Sequence, residues 1–527
     1  MSITSKCTAP VVASLLGLWV VGCPAGDYDW DDDDYADAAY DDDDYGDDDD
    51  AADEGDDDDT PPPEEEDDFL VTEPRGTDVY VFVANPTRDT VSRIDAFTRE
   101  IETIEVGDEP VQVLVSADYQ RAVTLNASAD SVSVIHVSGD VVTELPVRED
   151  FNFISISPDG RWVVAWFNAG LEDADFDIEG VRSFTEVSFV DTIELTVQSF
   201  SVGFNPKQIE FPIASSKAVI ISDTHLTVAD LSGDPITLEL LDLDVDPVDP
   251  PTAAEVEIPP GAQWAFVRYI GSDVIQAVNL ETGELGDLDG GDTPTDLDLG
   301  EAGEVIVVSR GSNELRIFDA SDPLSVPPII LETPAESIIG SLVLAPGGEK
   351  GLLFTTAARE DRITSWDIAT GAMVSRRLAK PVRAVAVSPD GNSALVIHTL
   401  EDAPGEDDLF SSMYAMTIID LNTWITNPVA LQGRPFRWTT SIDGQYSLFA
   451  MEGNRNVGVI DYTTRLADDV LVPSQPVHIG MIPIDEGPEQ ALGWISQEHD
   501  LGRISFVAPF DLSVETVTGF ELNSEID

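Results

Sequence analysis

Between residues 69 and 523 the chain alternates short apolar runs with polar breaks, and the alternation itself recurs. Residues 79–110 read VYVFVANPTRDTVSRIDAFTREIETIEVGDEP. Related text returns as PVQVLVSADYQRAVTLNASADSVSVIHVSGDVVTELPV from Pro110 and as FISISPDGRWVVAWFN from Phe153. Later copies include DLDLGEAGEVIVVSRGSNELRIFDA, AVAVSPDGNSALVIHT and WTTSIDGQYSLFAMEGNRNVGVIDY. Each unit holds four runs rich in Val, Ile, Phe and Thr, bounded by Gly, Pro, Asp and Asn, which predicts four short strands. The first two are joined by tight turns such as Ser157-Pro158-Asp159-Gly160, Ser388-Pro389-Asp390-Gly391 and Ser441-Ile442-Asp443-Gly444. Proline presets φ in such a turn, and glycine accepts the positive φ that closes it. A spacing of roughly 40–50 residues is that of one four-stranded propeller blade. First strands begin near residues 69, 111, 152, 207, 254, 295, 339, 383, 436 and 478. The expected fold is therefore an all-β propeller of about ten antiparallel blades. No Gly/Ser-rich or Pro-rich linker divides the units, which favours a single ring.

The text VFVANPTRDTVSRID, followed by IETIEVGDEPVQVLVS, resembles the YVTN-type β-propeller repeat of surface-layer and periplasmic proteins. The resemblance runs over nearly all of residues 69–523 and is weakest at 205–300. It implies a propeller, although members of that family usually close at seven or eight blades. It implies no particular activity, because propellers host many unrelated tasks.

The N-terminus changes the picture. Lys6 precedes an apolar run, Val11 to Val21, that is short for a membrane span and suits a secretory signal. Val20-Val21-Gly22-Cys23 resembles the lipobox of bacterial lipoproteins, which implies cleavage after residue 22 and lipid on Cys23. The only other cysteine, Cys7, lies in the discarded part, so the mature chain would hold no disulfide. Pro24 follows the cysteine, where lipoproteins held at the inner membrane commonly carry Asp. The outer membrane is therefore the expected address.

From Asp27 to Asp68 come 26 Asp or Glu and no Lys or Arg. Such a segment has nothing to bury, and the expectation is a disordered tether over residues 23–68. Its reach is on the order of 150 Å stretched and about 40 Å as a coil. Tyr35, Tyr40 and Tyr45, spaced regularly along it, leave room for a calcium-binding or export role. The propeller is expected over 69–523, with a short tail at 524–527.

Formal net charge is −76. With the tether acids and Lys6 set aside, the body keeps 76 acids against 25 bases, about −51. That surface repels nucleic acid and anionic lipid.

In a propeller the a–b and c–d turns share one face, and the b–c and d–a connections share the other. Residues 169–184 (AGLEDADFDIEGVRSF) interrupt the b–c connection of the third unit, and residues 399–413 (TLEDAPGEDDLFSSM) that of the eighth. DLDVDPVDPP (242–251) and DLDGGDTPT (287–295) read as d–a connections. All four then decorate one rim, where binding is usually built. Asp173, Asp175 and Asp177 have the alternate spacing of a calcium loop, but Ile178 and Phe184 stand where that motif needs Gly and Glu. Calcium is the only candidate cofactor. The candidate calcium or partner-binding residues are Asp173, Asp175, Asp177 and Glu179 in the first insert, with Glu401, Asp402, Glu406, Asp407 and Asp408 in the second.

The histidines 136, 225, 398, 478 and 499 fall in separate units or at strand ends, which argues against a convergent acid–base or metal site. No GxSxG, HExxH, CxxC or P-loop is present. Trp162, Trp166, Trp264, Trp366, Trp424, Trp438 and Trp494 read as packing between blades, and Phe410 with Tyr414 as an exposed aromatic pair. The expected function is a lipid-anchored, cell-envelope binding scaffold for an envelope or extracellular protein or polysaccharide. The alternatives are a lactonase-like or quinoprotein-like enzyme using the central channel, and a structural surface coat.

Overall fold

The strands bury what their position in a stack dictates. Second and third strands are covered on both faces and read as continuous apolar runs. Trp162–Trp166 (WVVAW) is buried throughout, and so is all but the first residue of Glu186–Asp191. Fourth strands face solvent and alternate, as Thr237–Asp242 does. A computed structural model describes residues 75–138, 141–171, 184–246, 250–400, 410–484 and 491–520. The expected signal peptide, Cys23, the tether, residues 69–74 and the tail 524–527 lie outside the described residues.

Forty strands form ten four-stranded sheets, each in a–b–c–d order with antiparallel neighbours. The blades span 75–105, 110–146, 153–201, 206–242, 253–289, 294–332, 341–377, 382–431, 435–471 and 476–518. The ten units expected from the repeat are thus ten blades of one β-propeller. Packing follows the same count: ten apolar clusters occupy the ten interfaces between neighbouring blades. Five of the seven tryptophans expected between blades, Trp162, Trp166, Trp264, Trp366 and Trp494, are buried, and Trp424 and Trp438 pack against such clusters. Among the described residues no helix is long and apolar enough to cross a membrane.

The a–b turns explain why their sequence repeats. Ser157 Oγ donates to Asp159 Oδ1 at 2.6 Å, and the Gly160 amide donates to Ser157 O at 2.8 Å. Ser388–Asp390 and Ser441–Asp443 repeat the pair. The c–d turns are held by the last residue of the third strand. Asp95, Asp191, Asp367, Asp420 and Asp461 each accept backbone amides from the turn that follows. His136 ends the third strand of blade 2, where those aspartates stand in other blades.

Among the described residues, blade 10 closes on blade 1 without exchanging a strand. Val81, Ile94 and Ala96 pack against Ile482, Trp494, Phe506 and Phe520. The Arg99 guanidinium lies 4.3 Å from the Phe506 ring centre and 3.0 Å from Glu515.

Candidate functional site at the insert rim and the channel wall

Blade strands alternate in direction, so first strands run from the d–a face to the a–b face. Arg75, which begins the inner strand of blade 1, therefore stands at its b–c/d–a end. The two inserts leave from that face too. One follows Trp162–Trp166 of blade 3, and the other follows Ser393–His398 of blade 8. Blades 3 and 8 are five apart in a ring of ten, so the roots of the inserts stand on opposite sides of the channel mouth.

Asp173, Asp175, Asp177, Glu179, Glu401, Asp402, Glu406, Asp407 and Asp408 all lie outside the described residues. The roots of both inserts are described, and each is braced by a different chemistry. In blade 3, Phe184 packs 5.0 Å from buried Phe167 and stacks at 5.5 Å and 16° on Phe204. Phe204 is 53% exposed, leaving an aromatic face at the rim. Asn152 clamps the other limb, since its Nδ2 donates to Asn168 O at 3.0 Å and its Oδ1 accepts the Asn168 amide at 2.7 Å. In blade 8, buried Lys380 donates to Leu400 O at 2.6 Å, Met413 O at 3.0 Å and Phe410 O at 3.2 Å.

Two loop readings need adjustment. Residues 287–289 belong to strand Leu285–Asp289, leaving 290–293 as the d–a connection. Tyr414 begins strand Tyr414–Asp420 and packs half-buried at the blade 8–9 interface, and Phe410 is half-buried as well. They are not an exposed aromatic pair.

The channel wall is made by the first strands, most of which start with a bulge. The register shifts between Pro110 and Gln112, and again at Pro206/Gln208, Ala253/Glu255, Pro294/Asp296, Val382/Ala384, Pro435/Arg437 and Pro476/His478. A bulge re-aims the residue after it. Two of these residues join one blade to the next. Gln112 Oε1 accepts the Ile154 amide at 2.9 Å, and Asp296 Oδ2 accepts the Leu342 amide at 2.5 Å. Glu255 pairs with Arg268 at 2.7 Å. These polar groups are engaged in building the ring.

Charge around the wall is uneven. The inner-strand carboxylates, Glu210, Glu255, Glu257, Asp296 and Asp298, all belong to blades 4, 5 and 6. Arg383, Arg437, His478 and Arg75 belong to blades 8, 9, 10 and 1. Lys207, the exception in blade 4, pairs with Asp223 at 2.6 Å. Burial pushes the Glu210 carboxyl up to about 7, against the Gln208 amide, which favours the charged form.

The histidines do not converge. His136 is exposed, and His225 Nδ1 lies 2.7 Å from Thr224 Oγ1. His398 is buried against Pro381 O and Thr417 Oγ1, and His499 Nδ1 accepts the Leu501 amide. His478 lies on the inner strand Pro476–Met481 of blade 10. Among the described residues no group of three His, Cys, Asp or Glu is placed to hold a metal ion. On the opposite face, a cleft of about 250 Å³ between blades 8 and 9 is lined by Asp390, Asn392, Asp420, Asn422, Gln445 and Arg465. Several of those side chains bond one another, through Asn422 to Asn392, Asn392 to Asp390 and Arg465 to Asp420.

Sequence reasoning missed Lys380 and the Phe184–Phe204 stack. The opposition of the inserts was available in principle, since units three and eight of ten are half a turn apart.

No family model matches the chain, and no curated protein matches it. The fold is similar to that in the crystal structure of the eukaryotic initiation factor, at 11% identity over 73% of this chain and 94% of that one, with a TM-score of 0.50. It is also similar to apo AztD from Citrobacter koseri, at 15% identity over 80% and 99% of the chains and a TM-score of 0.40. Dihydro-heme d1 dehydrogenase NirN in complex with DHE is similar at 12% identity over 68% and 74%, with a TM-score of 0.40. At 11% identity the first likeness is one of fold alone, and it is the ring of ten four-stranded sheets that makes the chain a β-propeller.

Proposed function

We propose that this chain is a cell-envelope lipoprotein, held by lipid on Cys23 at the outer membrane, whose propeller is a non-catalytic binding scaffold. The observation that carries the reading is the pair of braced insert roots, set half a turn apart on one face of the ring. A ring that fixes two loops across its mouth suits a partner that spans it. Two of the wall carboxylates already have structural partners, since Asp296 accepts the Leu342 amide of the next blade and Glu255 pairs with Arg268 of its own.

The partner is an envelope or extracellular protein or polysaccharide and not a nucleic acid. The acidic inserts favour a partner with basic character, or calcium bridging to another acidic surface. Exposed Phe204 is the best anchor on the described rim, since aromatic side chains dominate binding energy when a partner covers them.

The test is affinity capture from cross-linked intact cells. The full protein is compared with one whose segments 169–184 and 399–413 are cut to short turns, with calcium present or chelated. A partner held by the first and lost by the second supports the reading. Equal capture by both removes the rim as the recognition surface. Cys23→Ser tests the anchor separately, with release from the membrane fraction as the expected result.

A further inference from the structure

Lys380 lies in the connection from Ala372–Arg377 of blade 7 to Val382–Val387 of blade 8, and it is 0% exposed. A buried ammonium is costly unless hydrogen bonds replace its water. Here the three carbonyls come from both limbs of one connection. Leu400 lies just beyond Ser393–His398, and Phe410 and Met413 lie just before Tyr414–Asp420. Neighbouring bonds tie the same root to the Lys380 segment. The Thr399 amide donates to Pro381 O at 3.1 Å, and His398 Nδ1 lies 3.2 Å from that oxygen. The Met413 amide closes a turn on Phe410 O at 2.9 Å.

Carbonyl oxygens gathered around one positive charge are the arrangement proteins use to hold a bound cation. We infer that Lys380 is an internal cation that fixes the root of the blade-8 insert, so that the limbs are joined without a metal ion. The ammonium is covalently part of the ring, and the two limbs of the root are therefore joined whether or not calcium is present. The purpose of such a clamp rests on the reading of this rim as the recognition surface; its geometry does not.

Amide hydrogen exchange on the full chain tests this, read at Thr399 and Met413 with the blade-3 amide of Asn168 as an internal control. In Lys380→Met the two root amides should exchange about 10-fold faster or more, the effect of losing hydrogen bonds to a buried charge. Asn168 should not change. In Lys380→Ala, methylammonium should restore protection where the bulkier tetramethylammonium does not. Chelator added to the unmodified protein should leave both root amides unchanged. Unaltered exchange in Lys380→Met overturns the inference. So does faster exchange of the unmodified protein on chelation, a result that stands even if the variants fail to fold. Partner capture is not a readout here, so loss of the rim reading and loss of the clamp are told apart.

Discussion

Gly160 is held to glycine by two constraints at once. Its φ is +68°, and a Cβ there would come within 2.3 Å of Ser116 Cβ on the neighbouring blade. Gly271 has a similar φ of +73° with nothing within 4 Å of such a Cβ. Gly271→Ala should therefore cost only backbone strain, about 1 kcal/mol, and Gly160→Ala clearly more, about 2–3 kcal/mol. Urea unfolding of the two variants checks the order, and equal losses would show that the turns do not press on one another.

Protonation also belongs to this scale. Glu210 has a raised folded-state pKa, so it takes stability away as pH rises from the ordinary carboxylate range to about 7, and the loss is complete above that. Glu210→Gln should stabilise the protein at pH 8, on the order of 1–3 kcal/mol, and change nothing at pH 4. The turn-capping aspartates have the opposite sign. The Ser321 hydroxyl and amide hold the Asp319 carboxyl below its usual range, and the Thr370 hydroxyl and amide do so for Asp367. Their contribution is present at neutral pH and lost as pH falls through those lowered values. Thermal melts from pH 3 to 8 read both trends.

At the scale of elements, the strands were legible because burial on two faces selects β-branched and aromatic runs, and turns demand particular residues. Ser-Pro-Asp-Gly announces itself. The equivalent turn of blade 2, Ser116-Ala117-Asp118-Tyr119, does not, because Tyr119 takes the positive φ of 54° with its own amide bonded to Ser116 O. The Lys380 clamp was illegible for a different reason. The three carbonyls it donates to carry no side-chain signature, and they lie 20 to 33 residues away. The wall bulges were hidden likewise, since the register shift after Pro294 or Pro435 is a property of pairing.

Closure is the element most open to attack, because among the described residues no exchanged strand locks blade 10 to blade 1. Phe520, 3% exposed, fills that seam beside Trp494. Phe520→Ala should cost about 3–5 kcal/mol. Hydrogen exchange should rise first in blades 1 and 10, because in stacked repeats each unit is stabilised by its neighbours. Uniform loss of protection around the ring would mean that the seam is no weaker than the other interfaces.

At the scale of the molecule, a ring of ten blades sets geometry that no single blade contains. It puts the roots of the blade-3 and blade-8 inserts opposite one another and gathers the wall carboxylates on blades 4 to 6, facing the basic residues of blades 8 to 10 and 1. Blade count and insert positions were readable from the repeat. The bracing that makes a rim of them was not, since it joins Phe184 to Phe204 and Lys380 to Leu400 across connections. If the rim is the recognition surface, Phe204→Ala should weaken partner capture about 10-fold or more while leaving thermal stability within about 0.5 kcal/mol. A titration of the captured partner against both forms measures it.

The central claim is that recognition belongs to the b–c/d–a face, and immobilisation through one face at a time tests it most directly. With Cys7 and Cys23 replaced by serine, Asp108→Cys gives an exposed thiol on a d–a connection, and Ala369→Cys gives one on a c–d turn of the other face. Protein coupled to a surface through residue 369 presents its rim and should capture the partner. Protein coupled through residue 108 hides the rim and should not. Capture that is equal in both orientations, or that survives only when the rim is hidden, would contradict the account.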